Sequence, residues 1–187
     1  MPRAIRKKPC AVGFAGHWIA KRGATAITAF EELARRLPFA TFKVASNLPP
    51  SATERLADLG ANVCDHLDRH TFLSSWLPSI DVLAYPSEFD GLPLTVLEAM
   101  AIGIPVATSD YRALPGMVVE GGLVSPVGDA IGLAVNLATP LEASANEHFG
   151  HLARERVNHN YSPQVVTARL RTAYDATLAA ALERSTP

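Results

Sequence analysis

The sequence predicts an α/β domain in which a parallel sheet is covered by helices on both faces. Three observations lead there. Short β-branched or apolar runs alternate with longer segments whose apolar residues recur at helical spacing, from Cys10 to about Pro126. Capping and stop residues such as Ser51, Gly60 and Gly103 punctuate the junctions. The 187 residues, 48% of them apolar, suffice for one domain with a sizeable core and are too few for two.

In chain order, "CAVGFAG" reads as the first strand, and "TAITAFEELARRL" as a helix with Ile27, Phe30, Leu33, Ala34 and Leu37 on one face. "TFKVAS" is a second strand, followed by the helix "SATERLADLG", capped by Ser51 and stopped at Gly60. "ANVCDHL" holds a short third strand, and "TFLSSWLPSI" a third helix entered at Thr71. "DVLAYP" is a fourth strand, "LPLTVLEAMAIG" a fourth helix ending at Gly103, and "IPVATS" and "GGLVSP" are further strands. From Asp129 onward the pattern is helical throughout: "DAIGLAVNLA", then "LEASANEHFGHLARERVNHNY", then a C-terminal helix over 162–184. Ser162 and Pro163 open that last helix, and Val166, Leu170, Tyr174, Leu178 and Leu182 form its apolar stripe. Packing of the stripe against its own domain is the default expectation; docking on a neighbour is the alternative.

A net charge of -1 gives no reason to expect nucleic acid as a partner. Two cysteines far apart, Cys10 and Cys64, make no disulfide framework and suit a reducing cytoplasm. No run approaches the ~20 apolar residues of a membrane span. The basic leader, residues 1–9, lacks an apolar h-region; it reads as a solvated leader, with an electrostatic contact to a membrane surface or another domain as the alternative.

In open parallel sheets, ligands gather outside the carboxyl ends of strands, beside helix N-termini. Two junctions carry chemistry there. In "FAGHWIAKRGATA" a turn at Gly16 is followed by His17, Lys21 and Arg22 before a helix, where free amides and the dipole favour an anion such as a diphosphate. The segment matches neither the dinucleotide fingerprint nor the P-loop. In "PSEFDGLPLTVLEAMAIGIPVATS", Asp90 lies in the loop, Gly91, Leu92, Pro93 and Leu94 lead into the helix, and Glu98 stands alone among Leu94, Val96, Leu97, Ala99, Met100 and Ile102. Glu98 shares a helical face with Leu94, Thr95, Ala101 and Ile102, so its carboxylate needs hydrogen-bond partners. Two acids beside an anion site suit sugar hydroxyls, because a carboxylate accepts two O–H bonds at once. Together these features point to a sugar nucleotide.

The stretch from Pro86 to Asp110 resembles the donor-binding signature of GT-B-fold glycosyltransferases of family 4, P-S-x-x-E-G-x-P-x-x-x-x-E-A-M-A-x-G-x-P-V. "GHWIAKRG" resembles that family's G-R-x-x-x-x-K-G turn, "GGLVSPVGD" its G-L-L-V-P-P-G-D segment, and "ARERVNHNYSPQVVTARLRTAYDATL" its C-terminal helix pair. The resemblance runs from about Val12 to Leu178 and implies a Rossmann-like doubly wound sheet with C-terminal helices, one half of a GT-B fold. It implies that Glu98 binds ribose hydroxyls, Asp90 the transferred sugar, and the amides of Gly91 through Leu94 the diphosphate. His17 and Arg22 fall where the family places a diphosphate-binding Arg and Lys, and the base would rest near His66 and Leu67. Asp90 is one methylene shorter than the usual Glu, His17 lacks the fork of Arg, and Lys21 is a candidate to compensate. Gly116 stands where an L-P-E acid would be, and "VASN" lacks the family's glycine.

The resemblance further implies that residues 1–187 are the donor-binding half of a retaining glycosyltransferase, a hexosyl- or related transferase inactive as this isolated domain. The acceptor domain, with the catalytic-region histidine, is absent, so no catalytic residue is named. The partners expected are a nucleoside-diphosphate sugar and an acceptor-binding domain or partner chain, with no cofactor and no metal. The alternative is a non-catalytic partner subunit or nucleotide-sugar binding module. "CDHLDRH" offers Cys64, Asp65, His66, Asp68 and His70 but lacks a second pair at zinc-finger spacing. His148 and His151 read as a solvated helix face, and no G-x-S-x-G elbow occurs.

Overall fold

Six parallel strands form one sheet in the order β3-β2-β1-β4-β5-β6. They are β1 (Cys10–Ala15), β2 (Ala40–Ala45), β3 (Asn62–Cys64), β4 (Val82–Tyr85), β5 (Val106–Ser109) and β6 (Gly122–Ser125). The structure, a computed structural model, describes residues 10–185, with side chains as far as 181; the basic leader 1–9 lies outside the described residues. Cys10 through Ala15 pair with Ala40 through Ala45, and Val12 through Phe14 with Val82 through Ala84. The chain therefore winds outward from β1 to one edge, then returns to β4 and winds to the other. This is the doubly wound Rossmann order, whose crevice opens between β1 and β4, and the expected fold class is borne out.

Both sheet faces are covered. α1 (Gly23–Arg36), α2 (Pro50–Asp58) and α6 (Ala130–Ala138) cover one of them, with Ile27, Phe30, Leu33, Leu56, Leu133 and Leu137 packed on Val12, Phe42 and Val82. The Phe30 and Phe42 rings stack at 4.8 Å between centroids. On the other face, α4 (Leu94–Ala101), α5 (Leu114–Val118) and α7 (Ala143–Asn160) enclose Trp76, Leu83, Tyr85, Val96, Met100 and Met117. Val82 and Ala84 face one cluster, Leu83 and Tyr85 the other, as the period of two requires. Each fully buried Phe or Leu contributes roughly 2 kcal/mol by removal from water.

Three expectations change, and one short helix is added. Ser51 is not the cap of α2: Pro49 precedes the helix and Pro50 opens it, a proline's fixed φ suiting that first position. The third helix is entered at Asp68, not Thr71. The Asp68 carboxylate accepts the Thr71 amide and opens α3 (Arg69–Thr71), which runs into a π-helical turn over Phe72–Trp76 and a 3-10 turn over Leu77–Ser79. Pro78, with no amide to donate, breaks the α ladder there. α5 lacks the length that periodicity needs, so the sequence gives no sign of it. Lastly, α8 (Pro163–Ser185) leaves the described part of its stripe in the open: Val166, Leu170, Tyr174 and Leu178 are 47–62% exposed, against the default of packing on the domain, while the Leu182 side chain lies outside the described ones. Among the described residues no helix is long and apolar enough to cross a membrane.

Candidate functional site

Two loops meet at the carboxyl edge, at the point where the strand order reverses. The β1–α1 loop begins at Gly16, whose φ of 119° is open to glycine and strained for a side chain. Its amide bonds the Ala45 carbonyl at 3.0 Å, which ties the turn to β2. His17 is exposed, and its carbonyl accepts the Lys21 amide at 2.9 Å. Arg22 holds a left-handed conformation, φ 51° and ψ 53°, directly before α1. A non-glycine residue there costs of the order of 1 kcal/mol, tolerated where the surroundings fix it. The loop is anchored to its neighbour, because Ser87 Oγ lies 3.1 Å from the Ala20 carbonyl.

The β4–α4 loop supplies acids for the cations of the first. Lys21 Nζ donates to both oxygens of Asp90, at 2.6 and 2.5 Å, and lies 5.1 Å from the centre of the Tyr85 ring. Asp90 Oδ2 also accepts the Tyr85 hydroxyl at 3.0 Å and contacts Ser87 Oγ. With side chains 17% and 14% exposed, Lys21 and Asp90 form a largely desolvated pair. Burial, then the Asp90 charge and hydrogen bond, push the Tyr85 phenol far above its ordinary value, so it stays a donor. Arg22 pairs with Glu88, and its buried Nε has no partner.

α4 starts without a side-chain cap, so the first-turn amides of Leu94 and Thr95 are open to an anion. Of the four residues Gly91 to Leu94, Pro93 has no amide to offer, a correction to the expected set. Gly91, Leu92 and Leu94 are exposed. Farther along α4, Val96, Ala99 and Met100 enter the core, while Glu98 stays at the rim with its side chain 18% exposed. Leu94 and Ile102, on its face, are 62% and 44% exposed, so the face is more open than its apolar make-up suggests. The partner that Glu98 needs is Arg69, which donates through Nη1 to Oε2 at 2.9 Å and through Nη2 to Oε1.

A crevice of about 590 Å³ opens beside these groups, lined by Gly16, His17, Asn47, Asp65, His66, Leu67, Arg69, Phe72 and Thr95 among others. The structure thus brings Gly16 and His17 together with His66 and Leu67, and draws Lys21, Arg22 and Asp90 into ion pairs at the loop junction. Arg69, Tyr85, Ser87 and Glu88 escaped the sequence reading. Glu88 carries a visible signal, a second acid within "PSEFD". Among the described residues no group of three or more His, Cys, Asp or Glu side chains is gathered for a metal. His148 and His151 are exposed on α7, with His151 3.6 Å from Glu155.

The family model for glycosyl transferases, group 1, matches residues 9–142. The putative colanic acid biosynthesis glycosyltransferase WcaL of Escherichia coli K12 is 32% identical over 108 residues, covering 52% of this chain and 27% of its own length. The glycogen synthase of Mycobacterium tuberculosis H37Rv is 28% identical over 182 residues, 92% of this chain and 44% of that protein. The chain therefore spans about a quarter of the length of the first of these relatives and under half of the second. Among solved structures, the C-terminal domain of a glycosyl transferase group 1 family protein, LpcC, from Francisella tularensis superposes with a TM-score of 0.73 at 19% identity. That match covers 84% of this chain and 90% of that domain and concerns the fold alone.

Proposed function

The chain belongs to the glycosyl transferases of group 1, and on that premise we propose that it binds a nucleoside-diphosphate sugar as the donor half of a retaining transferase. The observation that carries the reading is the meeting of the β1–α1 turn and the first turn of the uncapped α4 around one crevice at the switch point, with Glu98 behind its wall, held by Arg69. Ribose hydroxyls would be accepted by Glu98. The diphosphate would lie against the amides of Leu94 and Thr95, with Lys21, Arg22 and His17 on its other side. As the bond to the sugar breaks, negative charge grows on the leaving diphosphate. Fixed amides and cations stabilise that charge without reorganising. The acceptor site and any catalytic histidine belong to a further domain or a partner chain, so this domain alone turns nothing over. A cytoplasmic setting, with peripheral membrane contact, fits the same reading.

A second reading is favoured by Asp90. Its carboxylate already accepts from Lys21, Tyr85 and Ser87, which leaves little capacity for the transferred sugar. A binding module or non-catalytic subunit would need no more than that. Calorimetry with UDP, GDP and ADP tests the first reading. At least one should bind, and Glu98→Ala should weaken it by about 2 kcal/mol, the worth of hydrogen bonds to a charged acceptor. No binding by any of the three removes the basis of the reading. Binding of the free diphosphate, joined to transfer failure when the missing domain is supplied, selects the module.

A further inference from the structure

Arg69 covers the carboxylate to which the donor-binding reading gives the ribose hydroxyls. We propose that Arg69 is an internal competitor for Glu98, holding the carboxylate in place of a ribose and yielding it to an incoming nucleotide, an inference that rests on the donor-binding reading above. Both guanidinium nitrogens Nη1 and Nη2 engage Glu98, one on each carboxylate oxygen. Arg69, not Glu98, forms the crevice wall beside Thr95. The two ends of the pair are also unequal: the Glu98 side chain is 18% exposed and the Arg69 side chain 59%.

That inequality sets the direction of exchange. Glu98 is too enclosed to be left without donors, because a desolvated carboxylate needs them. Arg69 stands in solvent on the first turn of α3, and its long side chain can swing into water with its charge still hydrated. A ribose offers two adjacent hydroxyls, one per carboxylate oxygen, and so reproduces the count of donors that Arg69 removes. Glu98 is therefore satisfied with Arg69 or with a ribose. The cost is to affinity, since the apparent constant is weakened by the fraction of molecules in which the seat is open. The same pair re-forms once the nucleotide has left.

The test compares wild type, Arg69→Ala, Arg69→Lys, Glu98→Ala and the double variant Arg69→Ala/Glu98→Ala by calorimetry. The probe is whichever of UDP, GDP and ADP binds wild type, with melting curves to confirm folding. Arg69→Ala is expected to tighten binding about three- to tenfold, the scale of an exposed ion pair that no longer competes. Arg69→Lys, with a single ammonium for two oxygens, should fall between it and wild type. In the Glu98→Ala background the Arg69 substitution should change affinity by less than about twofold, because its effect passes through Glu98. A role confined to fold stability would act alike in both backgrounds. If Arg69→Ala binds as wild type does, or more weakly, the competition is refuted while donor binding stands. If wild type binds none of the probes, both fall together.

Discussion

Asp90→Asn is the substitution with the largest consequence for the site. Asp90 accepts Lys21 on both oxygens, the Tyr85 hydroxyl at 3.0 Å and a contact from Ser87, in a setting where its side chain is 14% exposed. The amide keeps an acceptor for Tyr85 and Ser87 but loses the charge and turns a donor toward Lys21 Nζ. Removing one member of a buried pair costs roughly 3–5 kcal/mol because its partner is stranded. Here Lys21, 17% exposed, can shift partly to water, which reduces the expected loss to about 2–3 kcal/mol. For a chain of 187 residues that corresponds to a fall in melting temperature of about 4–12 °C. The double variant Lys21→Met/Asp90→Asn should be no less stable than Asp90→Asn, since no ammonium is left unpaired. Thermal and urea unfolding by circular dichroism read both. A melting temperature for Asp90→Asn within about 2 °C of wild type would refute the claim that this pair is desolvated.

Three further outcomes are expected. Tyr85 is held protonated well above the ordinary value of 10.0, so the stability it contributes is complete below about that pH and is lost as pH rises past it. In an alkaline absorbance titration, one of the chain's four tyrosines should ionise only with unfolding, and Tyr85→Phe should delete that step. Gly23→Ala would place a methyl 2.0 Å from Trp18 Cε3, in the segment that carries His17, Lys21 and Arg22. A cost of about 2 kcal/mol from overpacking and weaker diphosphate binding should appear together in melting and calorimetry. Deleting residues 162–187 removes α8, whose apolar side chains stand 47–62% exposed at Val166, Leu170, Tyr174 and Leu178; the melting temperature of the remainder should stay within about 2 °C.

The strands and the main helices were legible because each has a period of its own, as in Ile27, Phe30 and Leu33 or the apolar run Val82–Tyr85. Glu98 was legible for a different reason: a lone charge in an apolar helix implies a partner. What the partner was could not be read, since Arg69 precedes it by 29 positions and reaches it only through the fold. Lys21 and Asp90 are separated by 69 positions in the same way, and a pattern that marks each as polar does not say that they neutralise one another. The π-helical turn at Phe72–Trp76 keeps a helical look in sequence, and only the broken ladder at Pro78 sets it apart. For α8 the stripe was visible but not its exposure, because burial belongs to a pair of surfaces and the sequence shows one.

A structure of this chain with the diphosphate that binds it most tightly is the most direct test of the central claim. The account predicts ribose hydroxyls within hydrogen-bond distance of both Glu98 oxygens, roughly 2.5–3.0 Å, Arg69 turned away, and phosphate oxygens at the amides of Leu94 and Thr95. A nucleotide seated elsewhere, with Glu98 still bound to Arg69, would contradict it.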